Sequence, residues 1–420
     1  MRKIVSYLSL SAATLKPLYP AGMSDPLTAA LGLAGLALGA IVAAAALRAM
    51  RVPGAAIAGG AVAGLLLGPS LLGRIAPETF EHTFVGGVEQ RETRDALHRA
   101  QQIDRSAGVA GGIDPELAEQ MAIDHAAALE AAVAEWEQAK HAFQLPQRAT
   151  VALAVLAALL LGGVARVPND GPAPNAIITS SIGLWSSLLP GGVAYLLLAR
   201  VFGYDLPTAM LGAAAVAIGP WMLTGFDERS GHDAERGGAR LMQSAGRVAS
   251  VVALIAAAAA LGLAGASWWW IALLAGMPLG WLVPGRVPTR HRPPGAEILL
   301  LPVLAALTAL RVEIFQHWAW WPVIAFVLLS GDGRWLGALI GALLPGGRHA
   351  LRTMRLVLGV MAAGPTQLCI AAIAAYAGLA DGTLLLALLI GAVLVEMTGP
   401  VRRNAATRLV ETEEMLEGVE

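Results

Sequence analysis

The chain has 420 residues, of which 56% are hydrophobic and only 14% charged, with a net charge of −1 and a mean hydropathy of +0.63. A soluble domain carries about 25% charge, so this balance excludes an ordinary soluble enzyme and points to an integral membrane protein. The missing basic excess excludes a nucleic-acid partner, and the single Cys369 excludes an internal disulfide.

In chain order, residues 1–26 carry Arg2 and Lys3 before IVSYLSLSAATL, a weak leader-like pattern without a clear cleavage site, which reads as a retained interfacial segment. Apolar runs long enough to approach a bilayer crossing come next, at 27–47, 53–74, 149–165, 176–200, 206–224, 240–264, 267–284, 297–312, 318–345, 355–379 and 383–400. The reading is therefore all-α, with about 11–13 transmembrane helices. Placing the tail 401–420 in the cytoplasm puts fifteen Lys and Arg inside and six outside, the insert aside. That bias predicts an inner-membrane protein with its N-terminus outside and C-terminus inside.

Residues 75–148 interrupt the spans. They hold thirteen Asp and Glu against six Lys and Arg, a net of −7 that leaves +6 for the rest of the chain. PELAEQMAIDHAAALEAAVAEWEQAKHAF, with Pro115 at its start, has helical spacing and is too polar to cross, so the segment reads as a separate acidic helical hairpin. It can serve as a regulatory or protein-partner cap. Its histidines, His82, His98, His125 and His141, lack metal-ligand spacing and read as solvated helix faces. No metal or other cofactor is expected.

The remaining block, 149–400, contains the most informative feature. AVAIGPWMLT places Gly219-Pro220 in mid-span and VMAAGPTQLC places Gly364-Pro365 in mid-span. Proline removes a backbone donor and clashes one turn back, so each segment is expected to split into half-helices with unsatisfied ends, the alternative being two structural kinks. Paired interruptions in two halves of a membrane protein point to a substrate or ion site at mid-membrane. Thr224, Thr366 and Gln367 offer uncharged oxygens there.

VPGAAIAGGAVAGLLLGPSLLGR at 52–74 resembles the second membrane helix of the monovalent cation/proton antiporter superfamily, in its potassium-efflux-like and sodium/proton-antiporter-like branch. LGAAAVAIGPWM, LLLPVLAALTALRVEI and GPTQLCIAAIAAYAGL resemble, in order, its first broken helix, its Pro-containing stretch and its second broken helix. The resemblance implies inverted repeats, two broken helices (206–226 and 355–379) crossing at mid-membrane, elevator-like motion, a homodimer, and exchange of a monovalent cation, sodium or potassium, for protons. It also exposes a departure: the family's acidic pair on the helix after the first break is replaced by Ala249 and Ser250. Serine cannot couple a cation to a proton through one titratable group.

Two charged residues near the middle of 318–345 offer substitutes. Asp332 and Arg334, in VLLSGDGRWLGALIG, each cost about 2.5–3.5 kcal/mol at mid-bilayer and should face a cavity or a partner. Arg334 resembles the family's lysine near this point. The other reading makes SGDG an interfacial loop between two short spans. Arg247 either snorkels to the cytoplasmic surface or fills the cation position; Glu396, close to Arg402 and Arg403, reads as an interfacial salt link. Two functions are open: a secondary transporter, whose pocket would reach Ser250, Asp332 and both breaks, or a non-transporting or uncoupled relative whose closed core holds Arg247 or Arg334 in the ion position. Without HExxH, GxSxG or P-loop motifs, no catalytic residues and no enzyme activity are expected.

Overall fold

The computed structural model describes residues 25–88, 90, 93–97, 115–164, 175–219, 233–276, 278–279, 299–345 and 364–417. Among these there is no strand, and helix accounts for 87% of the structure. The elements are α1 (Asp25–Ala49), α2 (Ala55–Leu67), α3 (Pro115–Val164), α4 (Ala176–Leu196), α5 (Leu206–Ala217) and α6 (Asp233–Leu263). They continue with α7 (Trp268–Leu274), α8 (Leu301–Ala309), α9 (Trp320–Pro345), α10 (Gly364–Tyr376) and α11 (Gly382–Glu417).

Seven helices among the described residues are long and apolar enough to cross a membrane: Thr28–Ala49, Ala55–Ile75, Ala126–Leu160, Ala176–Val201, Ser244–Leu263, Trp320–Pro345 and Gly382–Gly399. The sequence suggests eleven. The difference lies in α5, α7, α8 and α10, which have 12, 7, 9 and 13 residues. At 1.5 Å per residue none of these reaches the roughly 30 Å of a hydrocarbon core by itself.

The structure divides into two compact units, residues 1–32 with 82–146, and residues 33–81 with 147–420. In the first, Gly86 and Gly87 have φ of 74° and 68°, a turn open to glycine alone, and a Cβ on Gly86 would come within 2.1 Å of the Phe143 ring. Beside it the Trp136 ring faces the Arg94 guanidinium at 4.4 Å and the Lys140 ammonium at 4.9 Å. The acidic segment differs from its sequence expectation in one respect. Its helix does not stop before the span at 149 but runs through Pro146 as the 50-residue α3.

In the second unit, small residues let backbones touch. Gly60, Gly64 and Gly68 recur every fourth residue along and just beyond α2, and a Cβ would meet Pro302 O at 2.1 Å from Gly60 and Ala306 O at 2.3 Å from Gly64. Gly337 and Gly341 of α9 do the same against α4, where a Cβ would sit 2.2 Å from Trp185 O and 2.5 Å from Ser181 O. Lipid supplies no hydrophobic drive between helices, so this close approach is what holds them. Two sets of three packed helices result: α4, α5 and α6 pack on one another, while α11 packs against both α9 and α10. Ser70 closes the far end of α2, donating to Val312 O at 2.9 Å and accepting from Ile314 N at 3.0 Å.

Candidate functional site

α5 begins at a proline-containing first turn and stops at Ala217, where Ile218 turns extended with ψ of 128°. It cannot continue because a residue preceding proline is pushed out of the helical region, and Gly219 precedes Pro220. Gly219 also lies where no side chain fits. A Cβ there would be 2.5 Å from Gly246 O and 2.9 Å from Ala249 Cβ. The carboxyl end of α5 is thus pressed into α6 beside Ala249 and Ser250, which are 1% and 0% exposed.

The last carbonyls of a helix have no intrahelical donors and carry the negative end of its dipole. Here they are taken by side chains of other elements. The Arg334 guanidinium, 1% exposed, donates from Nε to Val216 O at 2.7 Å and from Nη2 to Ala215 O at 3.4 Å. Gly219 O accepts from Ser250 Oγ at 3.3 Å and from Thr366 Oγ1 at 3.3 Å. The single Ser250 proton is shared with Gly246 O at 2.7 Å. Thr366 stands in the first turn of α10, beside Gly364 and Pro365, all three buried. Gly219 at the end of α5 and Thr366 of α10 therefore lie side by side in the protein core.

Arg334 owes its aim to the turn before it. Leu329–Gly333 is a π turn within an otherwise continuous α9, so SGDG is neither a loop nor an end of two short spans. One extra residue in a helical turn re-aims the side chains beyond it, and such turns recur at functional sites. Asp332 lies on the exposed side of this turn, and the side chain that reaches α5 is Arg334. Arg247 is half-buried on α6. Gln367, fully buried, donates to Leu388 O at 3.1 Å, while its Oε1 and the buried Ser330 Oγ have no hydrogen-bond partner among the described residues. Pro220 and Thr224 lie outside the described residues.

The side chains of Arg402 and Arg403 lie outside the described residues, and the Glu396 carboxylate packs at the amino end of α10, where a Cβ on Gly364 would be 3.2 Å from its Oε2. Nothing in the linear pattern pairs these positions, which lie on separate helices. At the opposite end of the same helices, Tyr204 donates to Asp381 at 3.0 Å, Asp381 caps α11 by accepting from Leu384 N at 2.8 Å, and Thr208 donates to Leu379 O at 2.9 Å. Burial and the neighbouring Asp381 carboxylate raise the Tyr204 phenol above its ordinary value.

No family model matches the sequence, and no curated protein matches it significantly.

Proposed function

We propose that this membrane protein is a secondary transporter of monovalent cations whose mobile core is formed by α5, α10 and the helices packed on them, with proton antiport as the mode its sequence resembles. The observation that carries this reading is the Thr366–Gly219 hydrogen bond. It joins the carboxyl end of one interrupted segment to the amino end of the other, where backbone groups freed from helices lie next to hydroxyl and amide oxygens that can replace water around an ion. Two helix triplets, α4 to α6 and α9 to α11, each contain one interrupted segment, which supports an internal repeat. Elevator-like movement and a homodimer complete the proposal by resemblance alone.

A second reading has its own observation. Arg334 holds a fixed positive charge on the carbonyls that a cation would use, and Ala249 and Ser250 offer no carboxylate. This favours an uncoupled or non-transporting protein acting through its acidic segment. Proteoliposomes with an imposed pH gradient separate the two. The transporter reading expects sodium or potassium to dissipate the gradient, Asp332→Asn to leave the response intact, because that side chain lies away from the junction, and Thr366→Val to slow it. A silent wild type, reconstituted and correctly folded, would decide for the second reading.

A further inference from the structure

Two side chains in the second unit are buried without the hydrogen bonds their chemistry calls for. Ser330 and Gln367 are fully buried, and neither Ser330 Oγ nor Gln367 Oε1 has a hydrogen-bond partner among the described residues. Leaving such groups unmet is costly in a dry core. They belong to different helices, the π turn of α9 and the first turns of α10, and they meet at a glycine of a third. A Cβ on Gly391 of α11 would lie 3.0 Å from Gln367 Nε2, 3.7 Å from Ser330 Oγ and 3.8 Å from Phe326 O. At the seam glycines Gly60, Gly64, Gly337 and Gly341 a Cβ would instead run into backbone at 2.1–2.5 Å. Those glycines bring two backbones together, whereas Gly391 leaves room edged by polar groups. The Gln367 amide is oriented by its Nε2, which donates to Leu388 O at 3.1 Å; turning it over would press two carbonyl oxygens together. Its oxygen therefore needs a donor from elsewhere.

We infer that a single water molecule is bound beside Gly391, between α9, α10 and α11, accepting from Ser330 Oγ and donating to Gln367 Oε1, with Phe326 O as the acceptor of its second proton. Buried waters typically make about three hydrogen bonds to groups that would otherwise go without, and three such groups meet here. The same groups reject ions. An anion would meet the Gln367 and Phe326 oxygens. Ser330 and Arg334 are four residues apart on one helix, so a cation at Ser330 would be repelled by a permanent positive charge. Water enters helical ladders at irregular turns, and Ser330 belongs to such a turn in α9. The bound water ties the turn that aims Arg334 at α5 to the helix that carries Thr366.

A crystal structure of the full-length protein, at a resolution that shows ordered solvent, tests this directly, with one crystal kept in sodium and another in rubidium. The expected result is a peak within hydrogen-bonding distance of Ser330 Oγ and Gln367 Oε1, with the density of water in both. No peak, with Ser330 Oγ turned onto Phe326 O or Gln367 Oε1, overturns the inference; so does an anomalous rubidium signal there, which would make the position a cation site. The melting temperature in detergent supplies a second readout. Gly391→Ala should displace the water and strand both side-chain oxygens, so the melting temperature should fall even though alanine is the better helix former. In the Ser330→Ala/Gln367→Met background, where neither oxygen remains, the same change should raise it. A rise in both backgrounds would mean a dry gap that a methyl group fills, and a fall in both would mean a steric clash; either overturns the inference. None of these outcomes bears on cation transport, which the liposome assay reads separately.

Discussion

Arg334 directs a permanent charge at two carbonyls that have no other donor within their helix. Removing it by Arg334→Met would leave Ala215 O and Val216 O unpaired in a dry environment, where each such group costs about 1–3 kcal/mol. The expected loss is about 3 kcal/mol, measured as a fall in the melting temperature in detergent. Arg334→Lys should recover part of it, since an ammonium satisfies one carbonyl but lacks the fork. A melting temperature unchanged in both variants would remove Arg334 from the support of α5. Tyr204 belongs to the same scale outside the membrane spans. Its folded pKa lies above the ordinary 10.0, so the native state holds the phenolic proton more tightly. That stabilisation is fully present below about pH 10 and declines as the pH rises toward the folded value. Tyr204→Phe should flatten this alkaline decline, with tyrosinate absorbance in the wild type tracking it.

Among elements, the glycine seams carry the most weight. Gly64→Ala would put a methyl group 2.3 Å from Ala306 O and 2.7 Å from Ala309 Cβ, forcing α2 from α8 at a cost of about 1–3 kcal/mol. Gly262, late in α6, has nothing within 4 Å, so Gly262→Ala should gain about 0.5–1 kcal/mol from helix propensity. Opposite shifts in melting temperature are the expected result; parallel shifts would mean that the seam is not a close contact in the folded protein. These seams were partly legible, because glycine at every fourth position in GAVAGLLLG already suggests close packing, although the partners do not appear in the linear order. The end of α5 just ahead of Pro220 was legible for a similar reason: proline restricts the backbone before it. SGDG was harder. A π turn leaves no mark in composition, so the same four residues fitted a loop or a span, and only their place between Leu328 and Arg334 in a continuous helix resolves them. The 50-residue α3 escaped because polarity changes near residue 148 while helical hydrogen bonding does not.

For the whole molecule, the charge bias predicts which ends share a compartment. A cysteine introduced at Arg51 should be labelled only from the cytoplasmic side, and one at Gly203 only from the opposite side, in sealed vesicles with an impermeant maleimide. The background is favourable, because the native Cys369 is buried at 2% exposure and should stay unlabelled. Labelling of both introduced cysteines from one side would refute the orientation. Membrane character was readable from composition, whereas the packing of Glu396 was not, since it depends on α11 passing Gly364 in space.

The guanidinium at residue 334 has a further implication if α5 and α9 travel together. Arginine does not surrender its proton at any physiological pH, so the Arg334 side chain itself keeps one elementary charge throughout. Displacement along the bilayer normal would then be sensitive to voltage, by at most about 2.3 kcal/mol per 100 mV for a full crossing and proportionately less for a partial one. An energised membrane would by itself favour one end of the stroke, giving this protein an electrical bias even without an acidic residue to sense protons.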